Sequence, residues 1–169
     1  MPLRIHLAKP SDELFADPQA VVESVRDGIL DWSDVVEPGV PSFVFVDEPG
    51  DAGIPIVWDA EPPDPRWFVA HCALDINVFS RRFGVARILV TAHWGNGREA
   101  SVAELYNAVL HEMGHALGLL GHSPDALDVM FPDIGLSRSE GLSQRDRDTL
   151  VALYQSPIGR RIRNARQLD

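Results

Sequence analysis

The segment 101–122, SVAELYNAVLHEMGHALGLLGH, constrains the fold of this chain more than any other stretch. It reads as a single helix with a marked start and a marked stop. Ser101 with Glu104 three residues on is a capping box, in which each side chain satisfies a backbone N–H left over at a helix start. Val102, Leu105, Val109, Met113, Ala116 and Leu117 recur at helical spacing and make an apolar stripe that has to be buried. Gly118 stands where a glycine can take the left-handed conformation that ends a helix and turns the chain. Three of the chain's six histidines fall in the last part of the segment: His111, His115 and, past the glycine, His122.

Helix positions i and i+4 lie on one face, so His111 and His115 can aim their ring nitrogens at one ion. Neutral imidazole is a good zinc ligand. Glu112 lies about 100° round the helix from His111, poorly placed to coordinate but able to reach a water held by the metal. Such a water has its pKa lowered to about 7, and a neighbouring carboxylate can take its proton. His-Glu-x-x-His is therefore a geometric recipe for metal-assisted hydrolysis. The turn at Gly118 can swing His122 back as a third ligand, and three protein ligands plus a water is the catalytic zinc arrangement rather than the closed structural one. Downstream, Met130 sits in DVMFP just before Pro132. A thioether packed beneath the histidines would support them without coordinating.

Elsewhere the pattern alternates between short strands and helices. LRIHLA (3–8) alternates as a strand. In DPQAVVESVRDGILDWSDVV, Asp17 can cap, Pro18 suits the first helical position, and Val22, Val25, Ile29 and Trp32 keep helical spacing. PSFVFVDEPGD and AGIPIVWDAEPPDP each give a short apolar strand ended by turn residues. RWFVAHCALDINVFS reads as a longer strand, and FGVARILVTAHWGNG as another, ended by Gly95 and Gly97. LSQRDRDTLVALY is a final helix, capped by Ser143, with Leu150, Val151 and Tyr154 on its apolar side. The order of strand, helix, four strands, helix, irregular loop and helix describes one mixed α/β domain. With 169 residues, 45% of them hydrophobic, the chain can build one such core but has no linker separating two.

Charge excludes one class of partner. Fifteen Lys and Arg against twenty-five Asp and Glu leave a net charge of -10, whereas a nucleic-acid binder needs a basic surface. The end is an exception: PIGRRIRNARQLD gathers Arg160, Arg161, Arg163 and Arg166, read as a basic C-terminal tail over 156–169. Its simplest reading is a solvated tail; the alternative is a segment that docks on the acidic body. Cys72 is the lone cysteine, so no internal disulfide can form. No run approaches the length of a membrane span, and no membrane association is expected. MPLRIHLAKPSDE lacks an apolar core of signal-peptide length. With Met1 as native start the chain would be leaderless and cytoplasmic; with a leader removed it would be secreted.

The motif His111-Glu112-x-x-His115-x-x-Gly118, then His122-Ser123, then Val129-Met130-Phe131-Pro132, resembles the zinc-binding helix and Met-turn of the metzincin clan, and within it the matrixin (matrix metalloproteinase-like) catalytic domain. The resemblance spans residues 1–155, with its specificity concentrated in 101–133. It implies a metzincin-like α/β (α+β mixed) domain: a twisted, mostly parallel sheet of about five strands with an antiparallel edge strand, the zinc helix, the Met-turn and a C-terminal helix. It also implies Zn²⁺ bound by His111, His115 and His122, Glu112 as general base and acid, and Met130 as the floor of the site. The implied activity is that of a zinc-dependent endopeptidase on peptide or protein substrates; a monomer is expected. RWFVAHCALD would be the edge strand along which an extended substrate pairs, and FPDIGLSRSEG the wall of a hydrophobic specificity pocket.

The chain departs from the matrixin pattern in two places. The third histidine usually follows the glycine by three residues, but that slot holds Gly121 and His122 comes one later; Asp125 or Asp128 would be the substitute ligands. Phe131 stands where matrixins carry a tyrosine. No pro-segment with an inhibitory cysteine occurs within these residues, and Cys72 reads as a small buried residue in a strand. His71 and His93 fall in segments that resemble those holding a second, structural zinc, but WDAEPPDPRW supplies no clear partners. Calcium at acidic loops such as VDEPGD would have no matching motif. His6 has no visible partner. Rival readings are a gluzincin using Glu140 as third ligand, a metal amidase acting on small molecules, and a non-catalytic zinc module that binds a peptide.

Overall fold

The computed structural model describes residues 2–61, 69–74, 76–77, 82–83, 87–133 and 141–157. Strand β1 (Leu3–Leu7) buries Leu3 and Ile5 and turns Arg4 outward, the alternation of a sheet with one covered face. Helix α1 (Pro18–Asp31) starts where its sequence says: the Asp17 side chain accepts from the Ala20 N–H at 3.0 Å, and Pro18 takes the first position. Its inward stripe is Val21, Val25, Gly28 and Ile29, continued by Trp32 in a 3₁₀ turn over Trp32–Asp34. Val22, expected in that stripe, is half-buried instead; Val21 lies four residues before Val25 and is the one that faces inward.

Strands β2 (Phe43–Phe45), β3 (Ile54–Asp59), β4 (Ala70–Ala73) and β7 (Arg87–Thr91) join β1 in a sheet of order β2-β1-β3-β7-β4. The first four pair in parallel, and β4 runs antiparallel to β7 at the edge. This is the mostly parallel five-stranded sheet with an antiparallel edge that the resemblance implied. A separate two-stranded hairpin is made by β5 (Ile76–Asn77) and β6 (Arg82–Phe83). The long strand read over RWFVAHCALDINVFS is thus divided. Ala73 pairs with Arg87, the first residue of β7. Residues 66–68, 75 and 78–80 of that segment lie outside the described residues.

Helix α2 (Val102–Leu117) packs against α1 on one side and against β4 and β7 on another. Enclosed in this way, it buries nearly all its residues from Leu105 onward, and its stripe broadens into a full circumference. Val102, assigned to the stripe, is 41% exposed because the first turn projects beyond these neighbours. Helix α3 (Gln144–Gln155) buries Asp146, Leu150 and Tyr154 and is capped by Ser143 as expected. The core fills the space between sheet and helices with Ile5, Ile54, Ile56, Ile88 and Val90 from strands and Val25, Ile29, Val109 and Met113 from helices. Two buried polar links bind the helices to α2: Trp32 Nε1 donates to the Leu110 carbonyl at 2.8 Å and Tyr154 OH to the Leu117 carbonyl at 3.0 Å. Among the described residues no helix is long and apolar enough to cross a membrane. The tail over 158–169 lies outside the described residues.

Candidate metal centre

The site forms where α2 ends. Gly118 adopts φ 108° and ψ 8°, a conformation costly for residues with a Cβ, and its N–H bonds back to the helix at His115. Leu119 N–H reaches the Gly114 carbonyl at 3.0 Å, so the chain reverses within a few residues of the helix end. That reversal brings His122 over the helix. Ring centroids lie 4.8 Å apart for His111 and His115, 5.3 Å for His111 and His122, and 5.0 Å for His115 and His122. One ligating nitrogen from each of the three lies within 4.8 Å of the others. The extra residue before His122 does not displace it. Gly121 has no positive φ, so the left-handed turn at Gly118 alone redirects the chain.

The donor chemistry fits a zinc ion. His111 Nδ1 lies 2.7 Å from the Val129 carbonyl and His115 Nδ1 2.6 Å from the Leu119 carbonyl. A carbonyl only accepts, so in both rings Nδ1 carries the proton and Nε2 keeps its lone pair for a metal. Burial pushes the His111 pKa down to about 4, helped by the neighbouring His115 and His122 and opposed by the Val129 bond. Burial also lowers His115. Both imidazoles are therefore neutral at pH 7, the form that binds a metal. Three nitrogens, with no fourth protein donor in the group among the described residues, leave one position for a water or substrate.

Glu112 is buried beside this group and outside it. Its Oε2 accepts the Cys72 N–H at 2.7 Å, a bond from the edge strand to the helix. Burial raises the carboxyl to about 7, with the Cys72 bond working the other way. The direction of that N–H follows from the β4–β7 register. Val69 and Thr91 are hydrogen-bonded opposite each other, so alternation turns the main-chain groups of Ala70 and Cys72 away from β7, and the Cys72 N–H meets Glu112 on α2. Cys72 itself is half-buried rather than buried.

Met130 lies beneath the helix as expected, and Gly114 makes room for it. A Cβ built on Gly114 would overlap the Met130 Sδ and press on the Trp32 ring at 3.0 Å. The turn at Met130 is fixed by Asp146, whose carboxylate accepts the Val129 N–H at 2.9 Å and the Met130 N–H at 3.3 Å. Since the Val129 carbonyl holds His111, Asp146 helps set the orientation of a ligand candidate from the far side of the turn. Neither Gly114 nor Asp146 was singled out from sequence. A weak signal existed for Asp146 in Ser143-x-x-Asp146, a capping pattern that the structure confirms.

Other candidates are placed elsewhere. Asp125 and Asp128 stand outside the histidine group and bond to Arg145. His93 Nδ1 lies 3.0 Å from the Ala60 carbonyl, and His71 sits half-buried on β4, its pKa lowered by burial. Among the described residues these two join no second cluster of three donors. His6 Nδ1 lies 3.2 Å from the Val46 carbonyl, a satisfied strand histidine. Glu140 and most of the predicted pocket wall lie outside the described residues.

An α/β domain whose sheet edge flanks a helix with three convergent imidazoles and an adjacent carboxylate has the build of a metzincin metallopeptidase. Sequence comparison narrows the class: the matrixin peptidase family model matches residues 11–155. The chain belongs to the matrixin family, whose members are zinc metallopeptidases acting on proteins or peptides. A search of curated proteins finds no match.

Proposed function

We propose that this matrixin domain hydrolyses internal peptide bonds, with His111, His115 and His122 holding one zinc ion and Glu112 acting first as general base and then as general acid. The observation that carries this reading is the position of Glu112, beside the three imidazoles but not among them, buried and held from the edge strand. A purely structural zinc site has no use for that carboxylate. A bound zinc supplies Lewis acidity, polarising the scissile carbonyl and lowering the pKa of a water to about 7. Glu112 takes the proton of the attacking water and delivers it to the leaving amine. Its burial favours the protonated form, which suits a group that must hold a proton between those two events. An extended substrate would lie along β4, the edge strand, bonding to main-chain groups turned away from β7. The segment from Phe131 would wall a hydrophobic pocket beside it.

Replacing Glu112→Gln tests the assignment. Zinc content should stay at the wild-type level while cleavage of a peptide library falls by at least about a hundredfold. A Gln variant that cleaves at the wild-type rate ends the proposal. Zinc binding by the wild type with no peptide turnover would favour the peptide-binding module or the small-molecule amidase.

A further inference from the structure

Of the three imidazoles, two are fixed by α2 and by a carbonyl on Nδ1. His122 is exposed, sits on a loop, and among the described residues has no hydrogen bond to its ring. Packing holds the loop at Leu119 and at Val129 and Met130, but Leu120 and Leu127 between them are exposed. A cavity of about 610 Å³ opens between it and α3, bounded by Gly118, Leu120 and His122 on one side and Ala152 and Leu153 on the other. Beyond Leu119 a polar contact must hold the backbone that carries the third ligand.

A polar clamp does so. Asp128 is 3% exposed and both its carboxylate oxygens are engaged. Oδ2 accepts from the Ser123 hydroxyl and from Arg145 Nη1 at 2.8 Å; Oδ1 accepts from the Ser143 hydroxyl at 2.7 Å. Arg145 Nη2 also reaches Asp125 Oδ2 at 3.3 Å. Ser123 is the residue next to His122, and its N–H bonds to the Met130 carbonyl at 2.7 Å. Ser143 and Arg145 belong to the start of α3, which Leu150 and Tyr154 anchor in the core. Burial pushes the Asp128 carboxyl up, but Ser123, Ser143 and Arg145 together outweigh it and hold it below its ordinary value. It is therefore an anion at neutral pH, and its bonds are of the stronger, charge-assisted kind.

We infer that Asp128 and Arg145 are positioning residues for His122, tying the third-ligand loop to α3 through Ser123. This rests on the metallopeptidase reading, and its failure can be told apart from the failure of that reading. Groups that orient metal ligands typically change affinity by about 10–100-fold when replaced. Asp128→Asn should therefore raise the zinc dissociation constant by about that factor, read by competition with a chromophoric chelator at a temperature where both proteins are folded. Arg145→Gln should move it in the same direction by a smaller factor, and carries the test alone if the Asp128 variant does not fold. In a His122→Ala background either substitution should add less than about a twofold change, because the residue acts through the missing ring. A merely structural role would lower stability without this dependence on His122. Equal affinity in wild type and both variants overturns the inference, as does an undiminished loss in the His122→Ala background. A wild-type protein that binds no zinc overturns the metallopeptidase reading and this inference with it.

Discussion

Gly118 and Gly121 stand three residues apart in the same loop and face different demands. Gly118 has φ 108°, where a Cβ is strained. A Cβ on Gly121 would meet nothing within 4 Å, and its backbone is not left-handed. Gly118→Ala should therefore cost about 1–2 kcal/mol, while Gly121→Ala should stay within about 0.5 kcal/mol of wild type. Urea unfolding of the two variants decides this, and the opposite ranking would mean the loop turns at the wrong glycine. At this scale the sequence was informative where one residue's chemistry suffices. The i,i+4 histidines, the helix-ending Gly118 and the offset Glu112 were all legible. Gly114 was not, because its need to be small comes from the Met130 thioether, sixteen residues away along the chain. Asp128 was legible only as a spare ligand; its true partners, Ser143 and Arg145, come from the next helix.

Helix α2 is held at its start by a compact set of bonds. Glu104 accepts from the Ser101 N–H at 2.8 Å and from Arg98 Nη2 at 2.6 Å, while Ser101 accepts the Glu104 N–H. The Arg98 bond, then Ser101, outweigh partial burial and hold the Glu104 carboxyl down at about 2, against an ordinary value of 4.5. A folded-state value below the unfolded one stabilises the fold above pH 4.5 and loses that contribution as pH falls toward 2. The pair is exposed, so screening limits it to about 1 kcal/mol or less. The stability difference between wild type and Glu104→Gln, measured by urea unfolding, should be largest near pH 6 and shrink steadily by pH 3; a difference that grows on acidification contradicts the bond pattern. The caps of α1, α2 and α3 were legible because a cap is a local bond between residues a few positions apart. Strand register was less so: β4 pairs with β7 from Ala70–Val90 to Ala73–Arg87, and no feature within either segment announces that pairing.

The core of the molecule is filled by apolar side chains. Trp32, Ile5, Ile29, Ile56, Leu105, Leu110 and Leu150 are fully buried, each worth roughly 1.5–3 kcal/mol. Chelation should therefore leave a cooperatively folding protein, unlike a small zinc finger. Zinc at about a hundred times its dissociation constant should add about 2.7 kcal/mol, or roughly 5–10 °C in Tm. Calorimetry with zinc and with chelator checks both parts, and loss of the unfolding transition on chelation would show the metal to be structural. The sequence by itself determined the helices with their caps, the α/β class and the residues able to grip an ion. These follow from short-range periodicity, backbone preference and side-chain chemistry. Only the tertiary structure decided that β4 lies along α2 with the Cys72 N–H on Glu112, that Asp146 holds the turn behind His111, and that α3 tethers the loop of His122. Those contacts join segments tens of residues apart, and their geometry exists only once the core has packed.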